Sequence, residues 1–180
     1  LGVDGALIMT PAYIKPPQRG LVAHYRAIAK ETDLPIILYN VPGRTGCDLA
    51  LESVIELSNL SNIVAIKEAS GSLERARDII EACGKDLYLL SGEDALNVEL
   101  LKLGAKGVIS VTANVAPKLM HDICLLALEG RFDEMGKIDA LLSSLHTGLF
   151  IDSNPIPTKW AMSQMELCQP TLRLPLVELE

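Results

Sequence analysis

The residue best placed to do chemistry is Lys67. It closes the apolar run Ile63-Val64-Ala65-Ile66 and is followed by Glu68-Ala69-Ser70-Gly71. Such a run reads as a buried strand of a parallel sheet, with the lysine at its C-terminal end. Burying an ammonium is costly, and desolvation lowers a lysine's pKa. A neutral lysine amine is a nucleophile that forms an imine with a ketone or aldehyde. The plainer reading of the same residue is a lysine whose stem packs on apolar neighbours while its head reaches water or pairs with Glu68.

Other reactive or polar types stand at comparable places. Thr10 and the Tyr13 loop follow the run Ala6-Leu7-Ile8-Met9. Tyr39-Asn40 end Leu34–Tyr39, Ser91-Gly92 end Leu87–Leu90, and Ser110 to Asn114 end the run from Gly107 to Val111. Between these runs the apolar spacing turns helical: Gln18 to Glu31, Ala50 to Ser58, Ser72 (as N-cap) to Cys83-Gly84, and Glu93 to Leu103. Asn40 to Gly46 is expected to be a polar loop. Strand and helix thus alternate five times, the form of repeated βα units on a parallel sheet. No glycine-rich dinucleotide or P-loop fingerprint follows any strand, which favours a closed barrel over a nucleotide-binding open sheet. In such a barrel the active-site groups come from the C-terminal ends of several strands. Past Asn114 the strands stop. Helices are expected over Ala116–Glu129, Arg131 to about Leu145 and Pro157 to about Leu167, followed by an extended tail.

Composition narrows the partners. The 180 residues carry a formal net charge of −7 and no long basic run, which argues against nucleic acid or an anionic membrane as main partner. Aromatics are only 4% of the chain, too few for a base-stacking platform. No apolar run approaches the roughly 20 residues that span a bilayer. Cys47, Cys83, Cys124 and Cys168 lack metal-ligand spacing and read as reduced thiols of an intracellular, cytoplasmic protein. His24, His121 and His146 lie on expected helices without ligand spacing and are assigned no chemistry. Asp94, Asp133, Glu134 and Asp139 read as solvated helix faces, and Glu68 as a partner of surface groups. The chain opens at Leu1 on what looks like a turn inside a fold, so an N-terminal truncation is expected.

Six motifs in order carry a resemblance: Thr10-Pro11-Ala12-Tyr13, Tyr39-Asn40-Val41-Pro42-Gly43-Arg44-Thr45-Gly46, Ile66-Lys67-Glu68-Ala69-Ser70-Gly71, Leu90-Ser91-Gly92-Glu93-Asp94, Gly107-Val108-Ile109-Ser110-Val111 and Asn154-Pro155-Ile156-Pro157-Thr158-Lys159-Trp160-Ala161. Over nearly its whole length the chain resembles the 4-hydroxy-tetrahydrodipicolinate synthase (dihydrodipicolinate synthase) family of pyruvate-dependent class I aldolases, relatives of N-acetylneuraminate lyase. The resemblance implies a TIM (β/α)8 barrel of which about five C-terminal βα units are present, over residues 1–130. A C-terminal helical appendage follows over residues 131–180. The first three units would be absent, together with the family's threonine pair and most of its lysine-feedback site. Ala12 departs from the tyrosine usual in that feedback site.

The resemblance further implies a lyase of the diaminopimelate route of lysine biosynthesis. It would condense pyruvate with L-aspartate 4-semialdehyde through a Schiff base, with no metal or organic cofactor. Lys67 would be the imine-forming lysine and Tyr39 the proton-shuttling tyrosine. Tyr13 would be the tyrosine that crosses a dimer interface, so that activity needs a homo-oligomer, a dimer or homotetramer. Arg44 would bind the carboxylate of the semialdehyde, and Gly92 and Ile109 would line the pyruvate pocket. For each, a plainer role exists: a packed strand tyrosine, a loop tyrosine, a solvated arginine, ordinary barrel packing. Two alternatives stand beside this function. One is a related pyruvate lyase acting on a sugar acid, which the Arg44 loop disfavours. The other is a non-catalytic partial-barrel scaffold, motivated by the two open sheet edges that five strands leave. Those edges lead to the expectation that the isolated 180 residues associate or fold poorly.

Overall fold

The computed structural model describes residues 2–179, so Leu1, which opens the expected N-terminal turn, and the terminal Glu180 lie outside the described residues. Two compact units divide the chain, Leu1–Val108 and Ile109–Glu180.

In the first unit, five strands alternate with helices. β1 (Ala6–Met9), β2 (Ile36–Asn40), β3 (Ile63–Glu68), β4 (Tyr88–Ser91) and β5 (Gly107–Val108) form one sheet in the order β1-β2-β3-β4-β5. Every neighbouring pair is parallel. The crossovers hold α1 (Gln18–Lys30), a single helical turn α2 (Pro42–Thr45), α3 (Leu51–Ser58), α4 (Leu73–Cys83) and α5 (Asn97–Leu103). Strand order follows chain order without the reversal of a doubly wound nucleotide-binding sheet, as a stretch of (β/α)8 barrel requires.

Side chains alternate across the strands, and the two faces differ. Ile8, Leu38, Ile66 and Leu89 stand in register on the helix-facing side. Leu38, Ile66 and Leu89 are buried together with Leu21, Val54, Leu57 and Ile79 of the helices, while Ile8 is half-buried. This layer is the unit's core. The other face carries Leu7, Met9, Tyr39 and Lys67. Ser72 caps α4, its side chain accepting from the Arg75 N–H at 3.2 Å, and Gly84 ends the helix, both as its sequence predicts.

Three expectations are corrected. The polar loop after Asn40 winds into the α2 turn because Pro42 suits a first helical position and Gly46, at φ 68°, supplies the left-handed residue that stops it. The helix expected from Glu93 begins as a 3-10 turn over Asp94–Leu96 and becomes α-helical only at Asn97. The fifth strand is two residues long, not five. Beyond it the Ser110 hydroxyl accepts the Ala113 N–H at 2.9 Å, a local bond that competes with ladder pairing, and a 3-10 turn follows over Thr112–Asn114.

The second unit is helical: α6 (Pro117–Leu128), α7 (Phe132–Gly148) and α8 (Ile156–Gln164). Met120, Ile123 and Leu126 of α6 and Met135 and Leu142 of α7 are buried. Buried His146 of α7 bonds through Nδ1 to the Thr112 hydroxyl at 2.8 Å and through Nε2 to Asp139 at 3.2 Å. Among the described residues, no helix is long and apolar enough to cross a membrane.

Candidate active site

Lys67 and Tyr39 are brought together by register. Tyr39 of β2 stands opposite Lys67 of β3, one strand spacing away and on the same face. The Lys67 Nζ lies 4.2 Å from the centroid of the Tyr39 ring. Both side chains are half-buried. Burial lowers the Lys67 pKa from the ordinary lysine range. The negative charges of Asp94 and Glu93 oppose that shift, and the Arg44 charge adds to it. The Tyr39 phenol is pushed up, chiefly by burial, with Arg44 pulling it down and Glu93 pushing it further up. Burial and the neighbouring Asp94 also raise the Glu93 carboxyl, against the pull of Lys67.

Gly92 sits against Lys67. Its N–H donates to the Glu68 carbonyl at 2.8 Å. A Cβ here would fall 2.9 Å from Cε of Lys67 and 2.7 Å from Cβ of Ala69, so the absence of a side chain is what leaves the lysine its place. Arg44 is exposed, on the α2 turn directly after β2. The turn is anchored from below: the buried Thr45 hydroxyl donates to the Cys47 carbonyl at 2.8 Å and accepts from the Thr10 hydroxyl at 3.4 Å. Tyr13 is tied to the same turn through its backbone, its N–H donating to the Thr45 carbonyl at 3.0 Å. Its side chain is 90% exposed, and its φ of 73° is in the left-handed region that a tyrosine rarely occupies. Ile109 opens the second unit, directly after β5, and is half-buried. Within the first unit the site therefore gathers Lys67, Tyr39, Gly92 and Arg44, while the Tyr13 side chain turns to solvent.

Behind this pair lies a layer whose burial and bonding reading the sequence missed, although Thr10, Asn40 and Ser91 already stood out as polar residues at strand ends. Thr10, Asn40, Glu68 and Ser91, the residues after Met9, Tyr39, Lys67 and Leu90, are all buried to 2% exposure or less. Glu68 does not pair with surface groups as expected. It accepts the Ser70 N–H at 2.8 Å, Nε of Arg75 at 2.9 Å and the Asn40 amide at 3.2 and 3.3 Å. Asp94 is likewise buried, not solvated, at 4% exposure, and accepts from the Asn97 amide at 3.2 Å. Both carboxylates sit where a chain reverses from strand to helix, so backbone N–H groups and helix side chains replace water. The available signal was positional: Glu68 directly follows the candidate Lys67, and Asp94 stands two residues past Gly92.

A nucleophilic amine with a depressed pKa, a phenol against it and a cation nearby can together form and process an imine of a carboxylated ketone. The dihydrodipicolinate synthetase family matches the chain over residues 1–180. The chain is 56% identical over 178 residues to the 4-hydroxy-tetrahydrodipicolinate synthase of Alkalilimnicola ehrlichii, covering 99% of this chain and 61% of that protein. It is 52% identical over 175 residues to the same-named enzyme of Pseudomonas aeruginosa, covering 97% and 60%. Among solved structures it superposes with a TM-score of 0.97 and 46% identity on chloride-inhibited dihydrodipicolinate synthase from Acinetobacter baumannii complexed with pyruvate, covering 99% of this chain and 62% of that one. The chain thus spans about three fifths of the length of the relatives it matches (61% and 60% of these two curated proteins).

Proposed function

We propose that this chain, which belongs to the dihydrodipicolinate synthetase family, forms a Schiff base between Lys67 and pyruvate and uses it to condense pyruvate with L-aspartate 4-semialdehyde. The observation that carries this reading is Lys67 itself: a half-buried amine of lowered pKa, 4.2 Å from the centre of a tyrosine ring, at the C-terminal end of a barrel strand.

In this reading the neutral amine attacks the ketone carbon of pyruvate. The carbinolamine loses water to give an iminium ion. The cation acts as an electron sink, so the methyl group loses a proton and becomes an enamine. Its carbon attacks the aldehyde carbon of the semialdehyde, and the aldehyde oxygen takes up a proton. The amino group of the semialdehyde then attacks the imine carbon and displaces Lys67 as the ring closes to 4-hydroxy-tetrahydrodipicolinate. Tyr39, a donor and acceptor of protons, carries them between these steps. Arg44 receives the semialdehyde carboxylate through its guanidinium fork. Gly92 bounds the pyruvate pocket. Tyr13 serves a neighbouring subunit's proton relay, so the working form is a homo-oligomer, and the place of work is the cytoplasm. Residues 1–130 form the barrel part and residues 131–180 the appendage.

The test is an assay with pyruvate and L-aspartate 4-semialdehyde on the longest natural chain carrying these residues. Formation of the cyclic product is the expected result. Turnover of a sugar acid but not of the semialdehyde would overturn the choice of substrate.

A further inference from the structure

One layer of the sheet separates apolar packing from an ionic cluster. On the helix-facing side, the layer Ile8, Leu38, Ile66, Leu89 is wholly apolar. Two residues further along each strand, the same side carries Thr10, Asn40, Glu68 and Ser91, all polar and all buried. Asn40 and Glu68 are register partners, as Tyr39 and Lys67 are one residue earlier on the opposite face.

The bonds of this cluster leave the sheet in several directions. The Asn40 amide donates to both oxygens of Glu68 and, at 2.8 Å, to Oδ1 of Asp48. Oδ1 of Asn40 accepts the Leu49 N–H at 3.0 Å. Arg75 of α4 holds Glu68 with Nε and donates with Nη2 to the Leu49 carbonyl. The end of β2 and the start of α4 bond this buried carboxylate directly, and the chain that leaves the Arg44 turn is tied to it through Asn40 and Arg75. Desolvating a carboxylate and a guanidinium is costly, and apolar residues of similar volume often hold a fold as well. The apolar layer one step earlier shows that this sheet can be packed that way. An ionic cluster confined to the position directly behind the reactive residues fixes geometry in a way that apolar packing does not.

We infer that Asn40 and Glu68, held by Arg75, are positioning residues: they set the spacing of Lys67 against Tyr39 and the presentation of Arg44 without touching substrate. This rests on the imine chemistry proposed above. The test follows the rate at which Lys67 is trapped by pyruvate and borohydride, normalised to the fraction of sites that can be trapped. Asn40→Ala and Glu68→Gln are compared with the wild type and with Asn62→Ala. Asn62, just ahead of β3 and far along the strand from Lys67, donates to the Ala29 and Thr32 carbonyls and serves as a control for loss of a half-buried tie.

The expected result is a per-site rate between about tenfold and about a hundredfold lower in Asn40→Ala and Glu68→Gln, the scale of a small misplacement of reacting groups. Asn62→Ala should lose thermal stability but keep its per-site rate. Per-site rates equal to wild type in both cluster variants, with only the trappable fraction reduced, would overturn the inference and leave the cluster a fold element. Should Asn40→Ala fail to fold, Glu68→Gln decides alone, since it keeps the shape and an acceptor oxygen. A folded wild type that yields no adduct at all removes the proposed function and this inference with it, and that failure is visible before any variant is measured.

Discussion

A Cβ placed on Gly92 would lie 2.9 Å from Cε of Lys67. The lysine's place on β3 is thus set by a missing side chain directly after β4. Gly92→Ala should displace the lysine or the strand end, since Ala69 and the Glu68 carbonyl close the other directions. Overpacking of this kind costs about 1–3 kcal/mol. Thermal melts should show that loss, and imine formation at Lys67 should slow more than the stability change explains.

The charges around Lys67 give a signed pH test. Imine formation needs the neutral amine, so its rate rises with pH through the Lys67 pKa. Burial and Arg44 lower that pKa, and Asp94 and Glu93 raise it. Glu93→Gln removes a raising influence and should move the pH–rate profile for trapping to lower pH. Arg44→Gln removes a lowering influence and should move it to higher pH. The two profiles should bracket that of the wild type.

Arg75→Met should be among the most destabilising single changes in the first unit. It leaves the 2%-exposed Glu68 carboxylate without its cation, a loss of about 3–5 kcal/mol for a broken buried pair. Denaturant melts of Arg75→Met, Glu68→Gln and the double variant should show strong coupling, with the double variant less destabilised than the sum of the singles.

In the second unit, Thr112→Val removes the hydroxyl that meets Nδ1 of the buried His146. Loss of a partner for a buried polar atom costs about 1–3 kcal/mol, which a shift in melting temperature should report.

The sheet was legible in the sequence because its strands are short apolar runs closed by polar residues, and four of the five fall within two residues of their expected ends. Lys67, Tyr39 and Gly92 were singled out because a strand end is a fixed place in such a barrel, whereas Arg44 lies on the turn beyond β2 and was singled out only through the family resemblance. Glu68 and Asp94 were misread because a carboxylate's surroundings depend on which way a short turn folds back. Nothing local in Lys67-Glu68-Ala69 says that Arg75, in the first turn of α4, will reach back to neutralise it. The fifth strand was overestimated for the opposite reason: Val108-Ile109-Ser110-Val111 has strand propensity, but the Ser110 hydroxyl and the turn at Thr112 take the backbone elsewhere.

The most direct test of the central claim is to incubate the longest natural chain carrying these residues with pyruvate, reduce with borohydride, digest it and locate the adduct by mass. The expected result is a single reduced pyruvate adduct, on Lys67 and on no other lysine. A folded protein with no adduct, or with one on a different lysine, would contradict it.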